Sequence, residues 1–213
     1  MGACVSTKRV LDHCLVDWNR PRPKPPQDVN SGELHELLIA LGACREFVNW
    51  SAGKSLLQLW QECERADWML WLCGKMMNNS GWPSRSELAL AACACAETVL
   101  PVYEKKYSGG SDLRTAIHTA RAWAGGKASL DEVRRAVAAV HTVLMFNLPM
   151  AANNAAVAAH DAAAAAIATY SDETAANAAR AAVNAEAGLL IFNRTKIHKE
   201  LARLIRQQLR VGC

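Results

Sequence analysis

Three of the seven tryptophans in this 213-residue chain fall within a short charged stretch, at Trp60, Trp68 and Trp71. Trp68 and Trp71 are three residues apart, so a helix places both indole rings on one face. Asp67 is a favourable N-cap for that helix, and Arg65–Ala66 would form the turn after the helix that carries Trp60. Large rings at this spacing predict a packed helix–turn–helix unit, because a loop would leave them in water.

The composition indicates an all-α protein. Hydrophobic residues make up 51% of the chain, but only three Phe and three Tyr are present and alternating strand patterns are nearly absent. From Ala151 to Ala187, twenty of 37 residues are alanine, the strongest helix former. We therefore predict helices that pack closely through small side chains, with two alanine-rich helices near the C-terminus.

Capping motifs and breakers divide the chain into about nine or ten helices. Four pairs predict capping boxes at helix starts: Asn30/Glu33, Ser55/Gln58, Ser84/Glu87 and Ser129/Glu132. We expect one helix from about residue 30 to Trp50, a bend or end at Pro101, and a cap at Ser171. The prediction is a multi-helix bundle with solenoid-like helix pairs.

The N-terminal part has a different character. Residues 1–18 suggest a short helix, and the four prolines between Arg20 and Pro26 exclude helix there. We therefore divide the chain into residues 1–30, an N-terminal helix with a proline-rich strap, and residues 31–213, an all-helical domain.

Eight cysteines are present, but their spacing is not that of a secreted disulfide framework. Residues 1–20 contain five charged side chains and no apolar core of a signal peptide, so we expect a reducing, cytoplasmic setting. Cys93 and Cys95 lie two apart in a predicted helix, where their thiols diverge and would not bind one ion. Together with Cys63 and Cys73 they are interpreted as small buried side chains, and no metal site is predicted.

Four segments together resemble a known family: Ala43–Trp50, Trp60–Leu72, Leu88–Pro101 and Ala116–Arg134, followed by an alanine-rich tract and a basic terminal helix. The chain looks like the putative immunity protein family of bacterial polymorphic-toxin loci and phage genomes. The resemblance covers about residues 40–210, and its tryptophan–cysteine–aspartate block is the specific part. Residues 1–30 depart from the pattern.

The resemblance implies an all-helical, non-enzymatic protein with no catalytic residues and no cofactor. It implies a role in immunity against a toxin, and its phage-borne members also suggest a factor directed against host defence. An unrecognised enzyme stays open as an alternative, since a Cys–His pair need not be adjacent in sequence.

Candidate site residues fall into two groups. Helical periodicity and size indicate that the first group serves the core or caps helices, although a tryptophan block is also a typical interface anchor. Its members are Trp50, Trp60, Cys63, Asp67, Trp68, Trp71, Cys95 and Trp123. The second group is a basic stripe on the last helix, which we predict to meet a protein partner with an acidic surface. Its members are Lys199, Arg203, Arg206 and Arg210.

The charge distribution argues against a general nucleic-acid binder. The formal net charge is +4, and residues 194–210 alone contain six Lys and Arg against one Glu. The rest of the chain is therefore nearly neutral, whereas nucleic-acid binders are usually more basic. No specific nucleic acid is predicted, although nucleic acid and lipid headgroups remain alternatives for the stripe itself.

A membrane location is not expected. No run of about 18 apolar residues is free of polar interruption. Gly2 begins an N-myristoylation pattern, with Cys4 available for palmitoylation, but this motif matters only in a eukaryotic host.

These observations lead to two main hypotheses. The first is a rigid helical inhibitor that covers the active site or docking face of a protein partner. The second is a scaffolding protein that self-associates, as a homo-oligomer, through the small-residue face from Ala151 to Ala187.

Overall fold

The computed structural model describes residues 29–77, 79–107, 111–189 and 194–209. Within these ranges the chain forms ten helices and no strand, which confirms the all-α prediction. The helices are α1 (Ser31–Ala40), α2 (Arg45–Ser51), α3 (Leu56–Glu62), α4 (Ala66–Met76), α5 (Arg85–Glu104), α6 (Ser111–Ala124), α7 (Leu130–Leu144), α8 (Met150–Ile167), α9 (Ser171–Gly188) and α10 (Arg194–Gln208). The predictions for the N-terminal helix, the proline strap, Gly2, Cys4 and Arg210 lie outside the described residues.

All four predicted capping boxes are present. At the start of α5, for example, Ser84 Oγ accepts from the Glu87 amide at 3.3 Å, while a Glu87 carboxylate oxygen accepts from the Ser84 amide at 2.8 Å. The Ser84 hydroxyl also donates to this carboxylate, at 2.7 Å. The bonds from the Ser84 hydroxyl and from the Ser84 amide lower the pKa of the Glu87 carboxyl group, because the ionised form is the better acceptor. Equivalent boxes begin α1, α3 and α7, so these helix starts follow from local sequence alone.

Two local predictions are wrong, and a third is wrong in one of its two alternatives. The segment from residue 31 to Trp50 is two helices, because Gly42 adopts a φ of 77° and ends α1 with a bond from the Ala43 amide to the Leu38 carbonyl. Of the two alternatives at Pro101, the end of the helix is wrong, because α5 continues to Glu104 with the proline exposed in its last turn, whereas the bend stays a prediction. Tyr170 is the N-cap of α9, so Ser171 is its first helical residue and not its cap.

The helices from α4 onward pack in two layers. By their mutual contacts, α4, α9, α8 and α7 lie side by side in that order and form one layer. Helices α10, α5 and α6 form the other layer in the same way. The long helix α5 lies across α8 and α9 and also touches its neighbours α6 and α10. The hydrophobic core extends through both layers and also takes in side chains of α1, α2 and α3.

The alanine-rich prediction is confirmed in α8 and α9. Most alanines of both helices are buried against the neighbouring helices α4, α5 and α7. The approach of α4 to α9 is close enough that a Cβ built on Gly74 would lie 2.4 Å from Ala175 Cα. Small side chains therefore set the spacing between these helices.

One described helix is long and apolar enough to cross a membrane by length and composition, namely α5. Most of α5 is buried inside the bundle, as in the core helix of a soluble domain, so this property is weak evidence for a membrane span.

Candidate partner-binding surfaces

The tryptophan block packs where α2, α3 and α4 meet. Trp60 and Trp68 are buried, whereas Trp50 and Trp71 are half-buried and packed against the core. The Trp68 ring stacks on Phe47 with 4.8 Å between ring centroids. These indoles hold the corner of the bundle together and leave only partial faces for a partner.

The remaining core candidates lie apart from this block. Cys63 and Cys95 are fully buried, and Trp123 is half-buried near the end of α6. The tryptophans and cysteines selected from the sequence therefore do not form one site.

Asp67 is not the N-cap of α4, which corrects the sequence prediction. Arg65 occupies the cap position without a side-chain cap bond, and Asp67 lies inside the first turn with 3% exposure. Arg65 Nε and Nη2 donate to the two Asp67 carboxylate oxygens at 2.8 and 2.7 Å. The Arg65 guanidinium also lies over the Trp68 ring, 4.7 Å from its centroid. Asp67 therefore serves as a buried counter-ion, which its cap-like sequence position did not reveal.

Arg65 is held in its charged form. Burial by itself lowers the pKa of the guanidinium, but the hydrogen bonds and charge of Asp67, with the charges of Glu186 and Glu46, raise the pKa overall. The pair is thus a structural ion pair that joins the α3–α4 turn to the aromatic cluster.

The basic stripe on α10 is largely neutralised within the protein. Lys199 is exposed and lies 3.4 Å from a Glu64 carboxylate oxygen. Arg203 is exposed and donates to both carboxylate oxygens of Glu200, at 3.0 and 2.6 Å. The bond from Arg203 also lowers the pKa of the Glu200 carboxyl group. The structure therefore keeps Lys199 and Arg203 on the surface but gives each an acidic neighbour.

Arg206 points inward and does not belong to a solvent-facing stripe. Its Nε donates to the Trp60 carbonyl at 2.8 Å, and its Nη2 donates to the Cys63 carbonyl. Both acceptors lie at the C-terminal end of α3, where backbone carbonyls lack partners within the helix. Arg206 therefore braces α10 against α3 across more than 140 residues of sequence.

Replacing Arg206 with alanine should lower the free energy of unfolding by about 2 kcal/mol, because two carbonyls lose a charged donor. Urea unfolding followed by tryptophan fluorescence measures the change. The matched control is Arg203→Ala on the same helix, which should change stability by less than about 0.5 kcal/mol. Equal effects of the two substitutions would contradict the bracing role.

The cysteine thiols within the described ranges are not arranged for chemistry. Cys63, Cys73, Cys93 and Cys95 are free and buried. Among the described residues, no group of His, Cys, Asp and Glu has a geometry that could hold a metal ion.

Burial raises the pKa of the Cys63, Cys93 and Cys95 thiols to about 12, from an ordinary value of 9.0. We expect these thiols to react with a disulfide reagent at pH 8 only when the protein unfolds. Stability should also fall as the pH rises from about 9 to about 12, because the unfolded chain releases these protons first. Labelling in native buffer and in urea, with alkaline unfolding curves, tests this. Rapid native labelling of any of the three would contradict it.

A buried polar cluster interrupts the alanine-rich layer. Asp161 of α8 is 4% exposed and accepts from Arg180 Nε of α9 at 3.2 Å. His160 Nδ1 and Asn184 Nδ2 lie within hydrogen-bond distance of the same carboxylate, and Arg180 also contacts Asn177. Because the buried carboxylate is paired with Arg180, the cluster fixes how α8 and α9 pair.

Two surface features were missed in the sequence. An open groove of about 560 Å³ runs between α6 and α7, with His118, Lys127 and Arg135 among its lining residues. Residues 145–150, the connection between α7 and α8 with the first residue of α8, expose Met145, Phe146 and Met150. We call these six residues the α7–α8 corner. The run Met-Phe-Asn-Leu-Pro-Met could have indicated an exposed apolar turn, because Pro149 precludes an uninterrupted helix there.

The small-residue face from Ala151 to Ala187 is not available for self-association as predicted. Most of its alanines are buried against the protein's own helices, so the self-association hypothesis loses most of the surface on which it was based.

Comparison with known proteins gives one match. The family model of the Imm-5 like putative immunity protein matches residues 82–207, which contain α5 to α9 and all but the last residue of α10. No curated protein and no solved structure matches the chain. The match covers more than half of the sequence, and the chain belongs to the Imm-5 like putative immunity protein family.

Proposed function

We propose that this protein is an immunity-type inhibitor that binds a protein toxin and covers its active site or docking face. The observation that carries the proposal is the family match over residues 82–207, because an immunity family implies a toxin as partner in general. Inhibition would need no chemistry from this chain. It would need a surface that stays in place when the partner arrives.

The packing of α5 to α10 supports such a surface. Fully buried alanines hold α8 and α9 against α5, and the Asp161–Arg180 pair fixes their mutual position. A surface carried by such a rigid layer loses little conformational entropy on binding, which favours a tight complex.

Lys199 and Arg203 support an acidic partner surface, as part of the same proposal. Both side chains are more than half exposed, so an acidic partner could displace Glu64 and Glu200 as their counter-ions. Such charges would mainly raise the association rate, and their effect would weaken with salt. We also propose a cytoplasmic location, which fractionation of the source cells would test.

The deciding experiment expresses the proteins encoded beside this gene one at a time in a bacterial host. We expect one of them to arrest growth, and co-expression of the full chain to restore it through a stable complex seen by size-exclusion chromatography. The charge-reversed pair Lys199→Glu and Arg203→Glu should slow association with that protein. If this chain relieves the toxicity of no neighbour and binds none, the proposal fails.

The phage counter-defence alternative makes a different prediction. The full chain would then bind a component of host defence, and co-expression would restore phage growth in a defended host without protecting against any toxin.

A further inference from the structure

The α7–α8 corner concentrates exposed apolar side chains. Met145, Phe146 and Met150 are 72%, 68% and 78% exposed, and these are half of the strongly exposed large hydrophobic residues in the described ranges. Single exposed hydrophobic residues are ordinary on a protein surface, whereas a contiguous group marks an interaction site. The other three, Ile39, Leu57 and Tyr170, lie on or beside different helices.

The corner is held rigidly by its own backbone. The Met145 and Phe146 amides donate to the carbonyls of Thr142 and Val143, both at 3.2 Å, and the Leu148 amide donates to the Phe146 carbonyl at 2.9 Å. Leu148 is half-buried and packs against the core, and Pro149 fixes the entry to α8. The three exposed side chains therefore project from a hydrogen-bonded turn.

The absence of charged residues in the sequence on either side of the corner limits the kinds of surface that the corner can bind. No Asp, Glu, Lys or Arg occurs from residue 136 to residue 160, so the corner lies in the middle of a long uncharged segment. Anchoring to an anionic lipid surface usually relies on Lys or Arg beside the apolar side chains, and this segment has none. Any stable protein–protein interface buries roughly 800 Å² on each partner, so three side chains would be the anchor of a larger interface and not the whole of it. Because the family implies a different protein as partner, an uncharged apolar pocket on that protein fits the corner best.

We propose that the α7–α8 corner inserts into an apolar, uncharged pocket of the protein partner, with Phe146 as its anchor and the two methionines adapting around the ring. This inference rests on the proposed function, because it describes the surface that binds the toxin. In this proposal the apolar corner provides the binding affinity, whereas the charges of α10 mainly raise the association rate.

The first test replaces Phe146 with the photo-crosslinking residue p-benzoylphenylalanine in the full chain. Leu57 of α3 is the matched control position, since it is 62% exposed and lies on a helix outside the family match. Irradiation with the growth-arresting protein should give an adduct from position 146 and none from position 57. Mass spectrometry should map the adduct to apolar residues of the partner.

The second test measures affinity for the same partner by calorimetry. Phe146→Ser should raise the dissociation constant by about 30-fold, whereas Leu57→Ser should leave it unchanged. Both positions are exposed, and thermal unfolding checks that each variant folds like the parent protein.

The outcomes separate this inference from the proposed function. If the parent chain protects cells and Phe146→Ser binds equally well, the inference is wrong and the proposed function stands. An adduct only with a second copy of the chain, or only with phosphatidylcholine–phosphatidylglycerol vesicles, would also overturn the inference. If the parent chain neither binds nor protects, both fail.

Discussion

Replacing Gly74 with alanine should lower the free energy of unfolding by about 3 kcal/mol. The added Cβ would lie 2.4 Å from Ala175 Cα, 2.5 Å from its Cβ and 2.9 Å from its backbone nitrogen. Two of these atoms are backbone, so no side-chain rotation relieves the overlap, and α4 and α9 must move apart. Urea unfolding of the full chain, followed by tryptophan fluorescence, measures the loss.

The matched control for this prediction is Gly32→Ala. Gly32 is exposed in α1, and the nearest atom to an added Cβ is Asn30 Oδ1 at 3.5 Å, which is ordinary contact. Alanine there should leave stability unchanged or raise it by up to about 1 kcal/mol, because it restricts the unfolded chain. If Gly74→Ala were as harmless as Gly32→Ala, the close approach of α4 and α9 would be wrong.

Replacing Arg65 with alanine should destabilise the protein by about 3 kcal/mol, because it leaves the Asp67 carboxylate buried without its partner. Asp67 is 3% exposed and receives two short bonds from Arg65, which also covers the Trp68 ring. Thermal and urea unfolding measure the change. The double variant Arg65→Ala with Asp67→Ala should recover part of the loss, because the uncompensated charge is then gone.

Arg134→Ala is the control for the ion pair. Arg134 donates to Asp131 at 2.6 Å, but both side chains are more than half exposed, so this substitution should cost less than about 0.5 kcal/mol. Similar losses at Arg65 and Arg134, or a double variant no more stable than Arg65→Ala, would show that burial of Asp67 does not govern the effect.

Much of the fold could be predicted because its signals are local. A capping box needs two residues three positions apart, and an alanine-rich segment favours helix wherever it lies. The break at Gly42 is local as well, but the sequence does not reveal whether a glycine within a helical segment has a positive φ. The cap position of α4 was misjudged because Asp67 fits a cap by type, while burial and Arg65 assign it another role.

The candidate surfaces could be predicted only in part, because their partners lie far away in sequence. Nothing near Arg206 indicates that its guanidinium binds carbonyls at Trp60 and Cys63. Likewise, the counter-ion of Lys199 is Glu64, which is far from Lys199 in the sequence. Helical periodicity placed these cations on one helix, but only tertiary packing decides which of them faces water.

The closeness of Gly74 to Ala175 has a practical consequence for how the protein is divided. The matched region, residues 82–207, includes α9 but not α4, so its boundary separates two helices that pack almost backbone to backbone. Cutting the chain there would remove α4 and expose alanines of α9 that are buried in the full chain, including Ala175. The segment that the family model matches therefore lacks a helix against which α9 packs, and experiments on that segment alone would test a protein with an abnormally exposed α9.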